Sequence, residues 1–148
     1  MIIDSRGEMC SATALNTGAA GTYLIGSQID LGVDGLDVGV GEDLYLVIQV
    51  TTTATSGGSA TGQFKLASDA SAAISTTTST VHFVTDAIAV ATLVAGYRVA
   101  AVRLPSGTYE RYLGILHTVS TAAATAGAID AFLTHDPQLW KAYADATD

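Results

Sequence analysis

The sequence predicts an all-β fold of about eight short strands, arranged as a sandwich or a barrel. Two observations support this: hydrophobic residues alternate with period two in successive segments, and stretches of Thr, Ser, Ala and Gly separate these segments at intervals typical of such folds. A chain of 148 residues fits one domain and can bury a core without disulfides or metals. We therefore expect one β-domain over residues 1–136 and a C-terminal extension over residues 137–148.

The clearest strand covers residues 44–50, where Tyr45, Val47 and Gln49 point away from the alternate apolar residues. The core is predicted on those apolar residues and on two residues of the opposite sheet. These core positions are Leu44, Leu46, Ile48 and Val50, facing Leu113 and Ile115.

Further strands are predicted on both sides of this one. Tyr23, Ile25, Ile29 and Leu31 share one face, and Phe64 shares another with Leu66. The remaining predicted strands are 80–85, 87–93, 97–104, 110–119 and 126–135, and the predicted connections are 51–62, 67–79 and 120–127.

The charge of the chain argues against binding to nucleic acid or to an anionic membrane. Six basic and fourteen acidic residues give a net charge of −8, and the basic residues are dispersed. A phosphate-binding surface needs clustered Lys and Arg. The longest apolar stretch, residues 87–97, is too short for a bilayer, and the acidic residues near the N-terminus leave no readable signal peptide. Synthesis in a cytoplasm without export is expected.

Catalytic and metal-binding patterns are weak, so we expect no enzymatic activity and no cofactor. Cys10 is the single cysteine and is expected to be an unreactive thiol. His82, His117 and His135 have no metal-ligand spacing, and His117 lies on an apolar strand face, as a structural histidine would. A Ser-His-Asp arrangement stays open, because its members can be distant in sequence.

One acidic, glycine-rich stretch runs from Asp30 to Asp43. Its carboxylates could surround calcium, which takes six to eight oxygen ligands, but their spacing is not that of an EF-hand. A solvated loop is the simpler interpretation. The carboxylates concerned are Asp30, Asp34, Asp37, Glu42 and Asp43.

Four blocks, together with the opening Met1-Ile-Ile-Asp4, resemble capsid cement (decoration) proteins of short-tailed phages of the Bordetella phage type. They follow the family's order and span most of the chain. The blocks are Ile29-Asp-Leu-Gly32, Gly41-Glu-Asp-Leu-Tyr-Leu-Val-Ile-Gln-Val50, Glu110-Arg-Tyr-Leu-Gly-Ile-Leu116 and Ala126-Gly-Ala-Ile-Asp-Ala-Phe-Leu-Thr134.

The resemblance implies a jelly-roll β-sandwich on the outer surface of a virion. Its partner would be a major capsid protein with the HK97-type fold, and it would also contact copies of itself as a dimer or trimer. No catalytic residue carries over from this family.

Two other functions are compatible with an all-β chain. A carbohydrate- or receptor-binding module of a virion would need exposed aromatic residues in a groove. A jelly-roll enzyme of the cupin kind would need a histidine cluster, which the spacing does not provide. The candidate aromatic residues are Tyr23, Tyr45, Tyr97, Tyr109, Tyr112 and Trp140.

The C-terminal extension is the one candidate helix. Asp136 could cap it and Pro137 could open it. Beyond them Leu139, Trp140 and Tyr143 gather apolar area and are the candidate partner-binding residues. The extension either reaches a neighbouring subunit as an arm or packs on its own sandwich, since so short a helix is marginal alone.

Overall fold

The computed structural model describes residues 5–15, 18–38, 40–41 and 43–137. Eleven strands and two short 3-10 turns, at Ser5–Gly7 and Val90–Thr92, lie within these ranges. None of the helical turns described is long enough to cross a membrane. The strands are β1 Glu8–Ala14, β2 Gly21–Asp30, β3 Leu36–Val38, β4 Tyr45–Ser56, β5 Thr61–Asp69, β6 Thr80–Val84, β7 Ile88–Ala89, β8 Arg98–Arg103, β9 Gly107–Tyr109, β10 Tyr112–Ser120 and β11 Ala124–Thr134.

Eight of these strands form two antiparallel four-stranded sheets. Sheet A has the order β1-β11-β4-β8, and sheet B has the order β2-β10-β5-β6. The short β7 adds to β5, and β3 pairs with β9 in a small separate sheet. Apart from β5 and β6, successive strands of the two sheets alternate between them, which is jelly-roll connectivity. The all-β, jelly-roll prediction of about eight strands is confirmed.

The core lies between the two sheets and includes the residues predicted for it. Leu46, Ile48 and Val50 of β4 are buried in one cluster with Leu113 and Ile115 of β10. Leu44 precedes β4 and is half-buried against the same cluster. The strand parity predicted for this part of the chain is confirmed, including the shared face of Tyr23, Ile25, Ile29 and Leu31.

Several predicted boundaries are wrong. The predicted connection 51–62 is mostly strand, because β4 runs to Ser56 and β5 begins at Thr61. Threonine suits a strand whose outward side chains meet solvent, so its abundance did not mark a loop here. The predicted strand 87–93 is also wrong: only Ile88–Ala89 pairs, and a 3-10 turn follows at Val90–Thr92.

Candidate functional site

A groove of about 700 Å³ lies between β1 and β2. Within the described ranges each of these strands pairs on one side only, because β1 is the edge of sheet A and β2 is the edge of sheet B. Polar side chains dominate its walls. The lining residues are Arg6, Glu8, Met9, Ser11 and Thr13 on one side and Gly26, Ser27, Gln28, Ile29 and Asp30 on the other.

Gly26 sets the distance between the two edge strands. It has a φ of +72°, and a Cβ atom there would lie 2.1 Å from the backbone oxygen of Met9. Glycine is required for both reasons. The pairing of β2 with β10 is irregular at this point, since the partners of Leu113 and Ile115 are Ile29 and Ile25. The bulge holds Gly26 to Gln28 out of the regular ladder and shapes the groove.

Asp30, which lines the groove, forms an ion pair with Arg111. Both carboxylate oxygens of Asp30 accept hydrogen bonds from the guanidinium of Arg111, each at 2.9 Å. Asp30 also accepts a hydrogen bond from the backbone N–H of Gly32. The bonds from Arg111 lower the pKa of Asp30 to about 2. This carboxylate is therefore charged over the physiological pH range and already occupied by Arg111.

Carboxylates of the acidic stretch form hydrogen bonds and ion pairs with arginines. Asp34 accepts the backbone N–H of Arg111 at 2.8 Å, and Asp43 pairs with Arg103 at 2.7 Å. No group of three His, Cys, Asp or Glu side chains in the described part of the chain could hold a metal ion. Glu42 lies outside the described residues. The geometry thus fits the solvated-loop interpretation better than the calcium one.

A serine, a histidine and a glutamate meet where sheet B approaches the β3-β9 pair. The hydroxyl of Ser68 lies 2.7 Å from Nε2 of His82, and it accepts the backbone N–H of Glu110 at 3.1 Å. It also lies 3.3 Å from a carboxylate oxygen of Glu110. The His82 ring stacks on Tyr109, with centroids 3.8 Å apart, and burial lowers the pKa of His82.

The distance from the Ser68 hydroxyl to His82 Nε2 is that of a nucleophile and its base in a hydrolase. The rest of the geometry is instead that of a cluster that links neighbouring strands. Ser68 is fully buried, so a substrate cannot reach its oxygen in this structure. Glu110 contacts the serine, whereas a triad carboxylate contacts the histidine. The contacts join β5, β6 and the segment before β10.

His117 is a core residue, as its position on an apolar face predicts. It is 1 % exposed and stacks on Phe64 with centroids 4.8 Å apart. Its Nδ1 has no hydrogen-bond partner among the described residues. Burial lowers the pKa of His117 to about 4, so the ring is neutral at physiological pH.

Cys10 of β1 is buried. Its thiol donates a weak hydrogen bond to the backbone oxygen of Ile25 at 3.7 Å. Burial raises the pKa of Cys10 to about 12. The thiolate is the reactive form, so this agrees with the predicted unreactive thiol.

Labelling of Cys10 by a thiol reagent should be slow in the folded protein and fast in denaturant. A pKa raised from 9.0 to about 12 leaves roughly a thousandfold less thiolate at a given pH. The measurement is the labelling rate in buffer and in urea, with Cys10→Ser as the unlabelled control. Equal rates would show that the β1 edge is open in the folded state.

The structure explains which of these features the sequence did not reveal. Ser68 and His82 come together through strand pairing between β5 and β6, which no local pattern encodes. The groove had a local signal, because Gly26 follows the apolar residues Tyr23, Leu24 and Ile25 within a strand, and such glycines mark bulges or close backbone contacts.

The family model called Bbp16 matches residues 9–133, which begin within β1 and end within β11. The chain belongs to the Bbp16 family. This family is named like a Bordetella phage protein, so the chain is phage-related. A comparison with curated proteins finds no match.

The tyrosines of this Bbp16-family chain do not form an aromatic groove in the described ranges. Tyr109 is fully buried, and its hydroxyl donates to the backbone oxygen of Pro105 at 2.7 Å. Tyr23 and Tyr97 pack against the core, and Tyr112 packs against a smaller cluster beneath Arg111. Trp140, Leu139 and Tyr143 lie outside the described residues.

The surface of the Bbp16-family sandwich is poor in charge but carries large apolar side chains. Two of these lie on the edge strand β6, and the others lie in connections. They are Val33, Val40, Val81, Val84 and Val94, each about half-exposed or more.

Proposed function

We propose that this protein is a non-enzymatic cement (decoration) protein, which binds the outer surface of a phage capsid and stabilises the shell. The observation that carries the proposal is the Bbp16 match over residues 9–133, in a chain whose blocks resemble cement proteins of the Bordetella phage type. Its partner would be a major capsid protein with the HK97-type fold, and it would act on the virion as a dimer or trimer.

The surface of the sandwich suits this role. A cement protein lies close to its neighbours, and charged groups buried without partners would make that contact costly. The chain has six basic residues, and two of them, Arg103 and Arg111, are paired with carboxylates. Charged residues make up only 14 % of the chain, so few of them would have to be desolvated in such a contact.

Repeated contacts give such a protein its effect. Weak binding at several neighbouring subunits adds through multivalency. A ligand that binds only the assembled shell shifts the equilibrium towards that shell. The groove between β1 and β2 offers strand edges that a second chain could pair with.

The carbohydrate-binding alternative has less support. Such a site needs exposed aromatic rings, and the tyrosines nearest to that description pack against the core or beneath Arg111. Two of the candidate aromatic residues remain: Tyr45 is half-buried and belongs to neither hydrophobic cluster, and Trp140 lies outside the described residues.

Sedimentation with capsids tests the proposal. Capsids that lack the protein should bind it saturably when it is added back, and they should then resist heat better. Occupancy should change only modestly when salt is raised, because exposed charge pairs are screened and the chain has few of them. The measurement is the amount of protein in the capsid pellet at each salt concentration.

Two controls make the result decisive. Addition of a chelator should leave occupancy unchanged, because Arg111 already occupies the carboxylate of Asp30. A glycan array tests the alternative in parallel. Failure to sediment with capsids, together with specific glycan binding, would contradict the cement function, and complete release at moderate salt would indicate an electrostatic interface.

A further inference from the structure

The edge strand β6 has one side open to a further strand. It pairs with β5 on its other side, and no second strand of the described ranges pairs with it. Its sequence, Thr-Val-His-Phe-Val, contains no carboxylate, lysine, arginine or proline. Exposed edges are commonly protected from pairing by charged side chains or proline, and β6 has neither. The strand can therefore accept a partner along this side.

The other edges of the two sheets, within the described ranges, suit a second copy of the chain less well. β1 and β2 lie on opposite walls of the groove. β8, the second edge of sheet A, begins with Arg98 and ends with Arg103. Antiparallel pairing of two copies along the whole of β8 would place Arg98 of one copy opposite Arg103 of the other. Like charges in such positions are destabilising, so self-pairing is opposed at β8 and not at β6.

A bulge shifts the pairing of β6 with β5. Leu66 pairs with Phe83 and Ala67 pairs with Val81, so His82 is an extra residue in β6. Leu66 is a core residue, and Phe83 packs against the same core. Ala67 belongs to a separate cluster, because successive side chains of β5 point to opposite faces of sheet B. Its partner Val81 therefore lies on the outer face.

His82 and Val84 complete the pattern of faces. His82 points inward, because its Nε2 lies 2.7 Å from the hydroxyl of Ser68, which is fully buried on the core face of β5. Val84 pairs with Lys65, which lies on the same outer face as Ala67. The last four residues of β6 thus point outward, inward, inward and outward. This order is the same from either end of the strand.

We propose that β6 pairs antiparallel with β6 of a second copy of this chain, about a two-fold axis between His82 and Phe83. Val81 then lies opposite Val84 of the second copy, and His82 lies opposite Phe83. Both pairs join side chains of the same face, and a shift by one or two residues would join side chains of opposite faces. The inference rests on the proposed function in one respect, since it assigns the dimer of that proposal to this edge.

The valines of the two copies form an apolar row across the outer face of the joined sheets. Val81 and Val84 are 47 % and 49 % exposed in the single chain, so pairing removes apolar area from water. Lys65, the register partner of Val84, is the charged residue that flanks this row. The two copies of Lys65 would lie three strand spacings apart, about 14 Å. This exceeds the screening length of about 8 Å at physiological salt, so their repulsion is weak.

The joined edge is short, so the dimer should be weak in free solution. Five residues from each copy form an interface below the standard size, and such interfaces give transient association. The chain should be a monomer at low concentration and a dimer at high concentration. On a capsid, neighbouring binding sites would hold two copies at a high local concentration, where weak association is sufficient.

Sedimentation equilibrium without capsids tests the pairing. A concentration series of the wild type should fit a 15.0 kDa monomer in equilibrium with a dimer. Val81→Lys should raise the Kd of the dimer severalfold, because it removes the apolar contact with Val84 of the second copy. Val94→Lys, at an equally exposed position outside β6, is the matched control and should leave the Kd unchanged. A wild type that stays monomeric at millimolar concentration, or a Val81→Lys variant with the wild-type Kd, would overturn the proposal.

An exchange of charges tests the register. Val84→Glu alone should also weaken the dimer, while its carboxylate lies beside Lys65 of its own chain and leaves the monomer folded. The double variant Val81→Lys/Val84→Glu places the new lysine of each copy opposite the new glutamate of the other. Opposite charges in these positions stabilise strand pairing, so the double variant should dimerise severalfold more tightly than either single variant. A double variant that dimerises no better than the single variants would overturn the register.

The capsid experiment and the dimer experiment fail separately. A chain that dimerises through β6 but does not sediment with capsids would contradict the cement function alone. A chain that sediments with capsids but does not dimerise would contradict this inference alone. Circular dichroism of each variant checks that its fold is that of the wild type.

Discussion

Replacing Ile48 with alanine should lower the free energy of unfolding by about 2–5 kcal/mol. Ile48 is fully buried at the centre of β4, in one cluster with Leu113 and Ile115. Its register partners on both sides are the alanines Ala131 and Ala100, which are too small to fill the space that the substitution would leave. Urea unfolding of the wild type and the variant measures the difference.

Val84→Ala is the matched control for this substitution. Val84 is 49 % exposed on the edge strand β6, so its truncation should change stability by only a few tenths of a kcal/mol. If Ile48→Ala instead unfolded at the wild-type urea concentration, the assignment of Ile48 to the inner face of sheet A would be wrong.

Stability should fall by roughly 3 kcal/mol as the pH is lowered from about 6.5 to about 4, because His117 is buried in its neutral form. Its pKa is about 4 in the folded protein and 6.5 in the reference state, so the unfolded chain binds the extra proton first. The contribution of His117 is fully present above pH 6.5 and is lost as the pH falls. Thermal unfolding measured over this range tests the expectation.

His117→Phe is the informative variant. Phenylalanine keeps a ring against Phe64, and His117 Nδ1 has no hydrogen bond to lose among the described residues. The variant should therefore lose most of the dependence between pH 6.5 and 4. A smaller loss of stability with falling pH should remain in this variant, because burial also lowers the pKa of His82. An unchanged slope in His117→Phe would show that another group dominates.

The strands that follow strict alternation were predictable from sequence. In β4 and β10 the inward positions are large and apolar, and both strands lie in the middle of their sheets, so one face must be buried. The alternation of apolar and polar residues thus follows from the burial of one strand face. The prediction that His117 lies on the apolar face of its strand is confirmed for the same reason.

Other strands gave no such signal. No strand was predicted over β1, where register shifts between Glu8 and Cys10 and between Cys10 and Thr13 break the alternation. Both Met9 and Cys10 are buried as a result. The groove beside β1 depends on which strands are the sheet edges, and that order is set by pairing between distant parts of the chain.

The central place of β11 in sheet A has a consequence for synthesis. This strand is the last of the described strands to be made, yet it pairs with β1 on one side and β4 on the other. Until β11 has left the ribosome, β1 has no pairing partner in sheet A, and the edge of β4 that later pairs with β11 stays unpaired. Such non-local pairing folds slowly and is exposed to aggregation. A chain interrupted before residue 124 could therefore not assemble sheet A. Folding of the sandwich should begin only after translation has passed β11, and so should any binding to another protein that needs the folded sandwich.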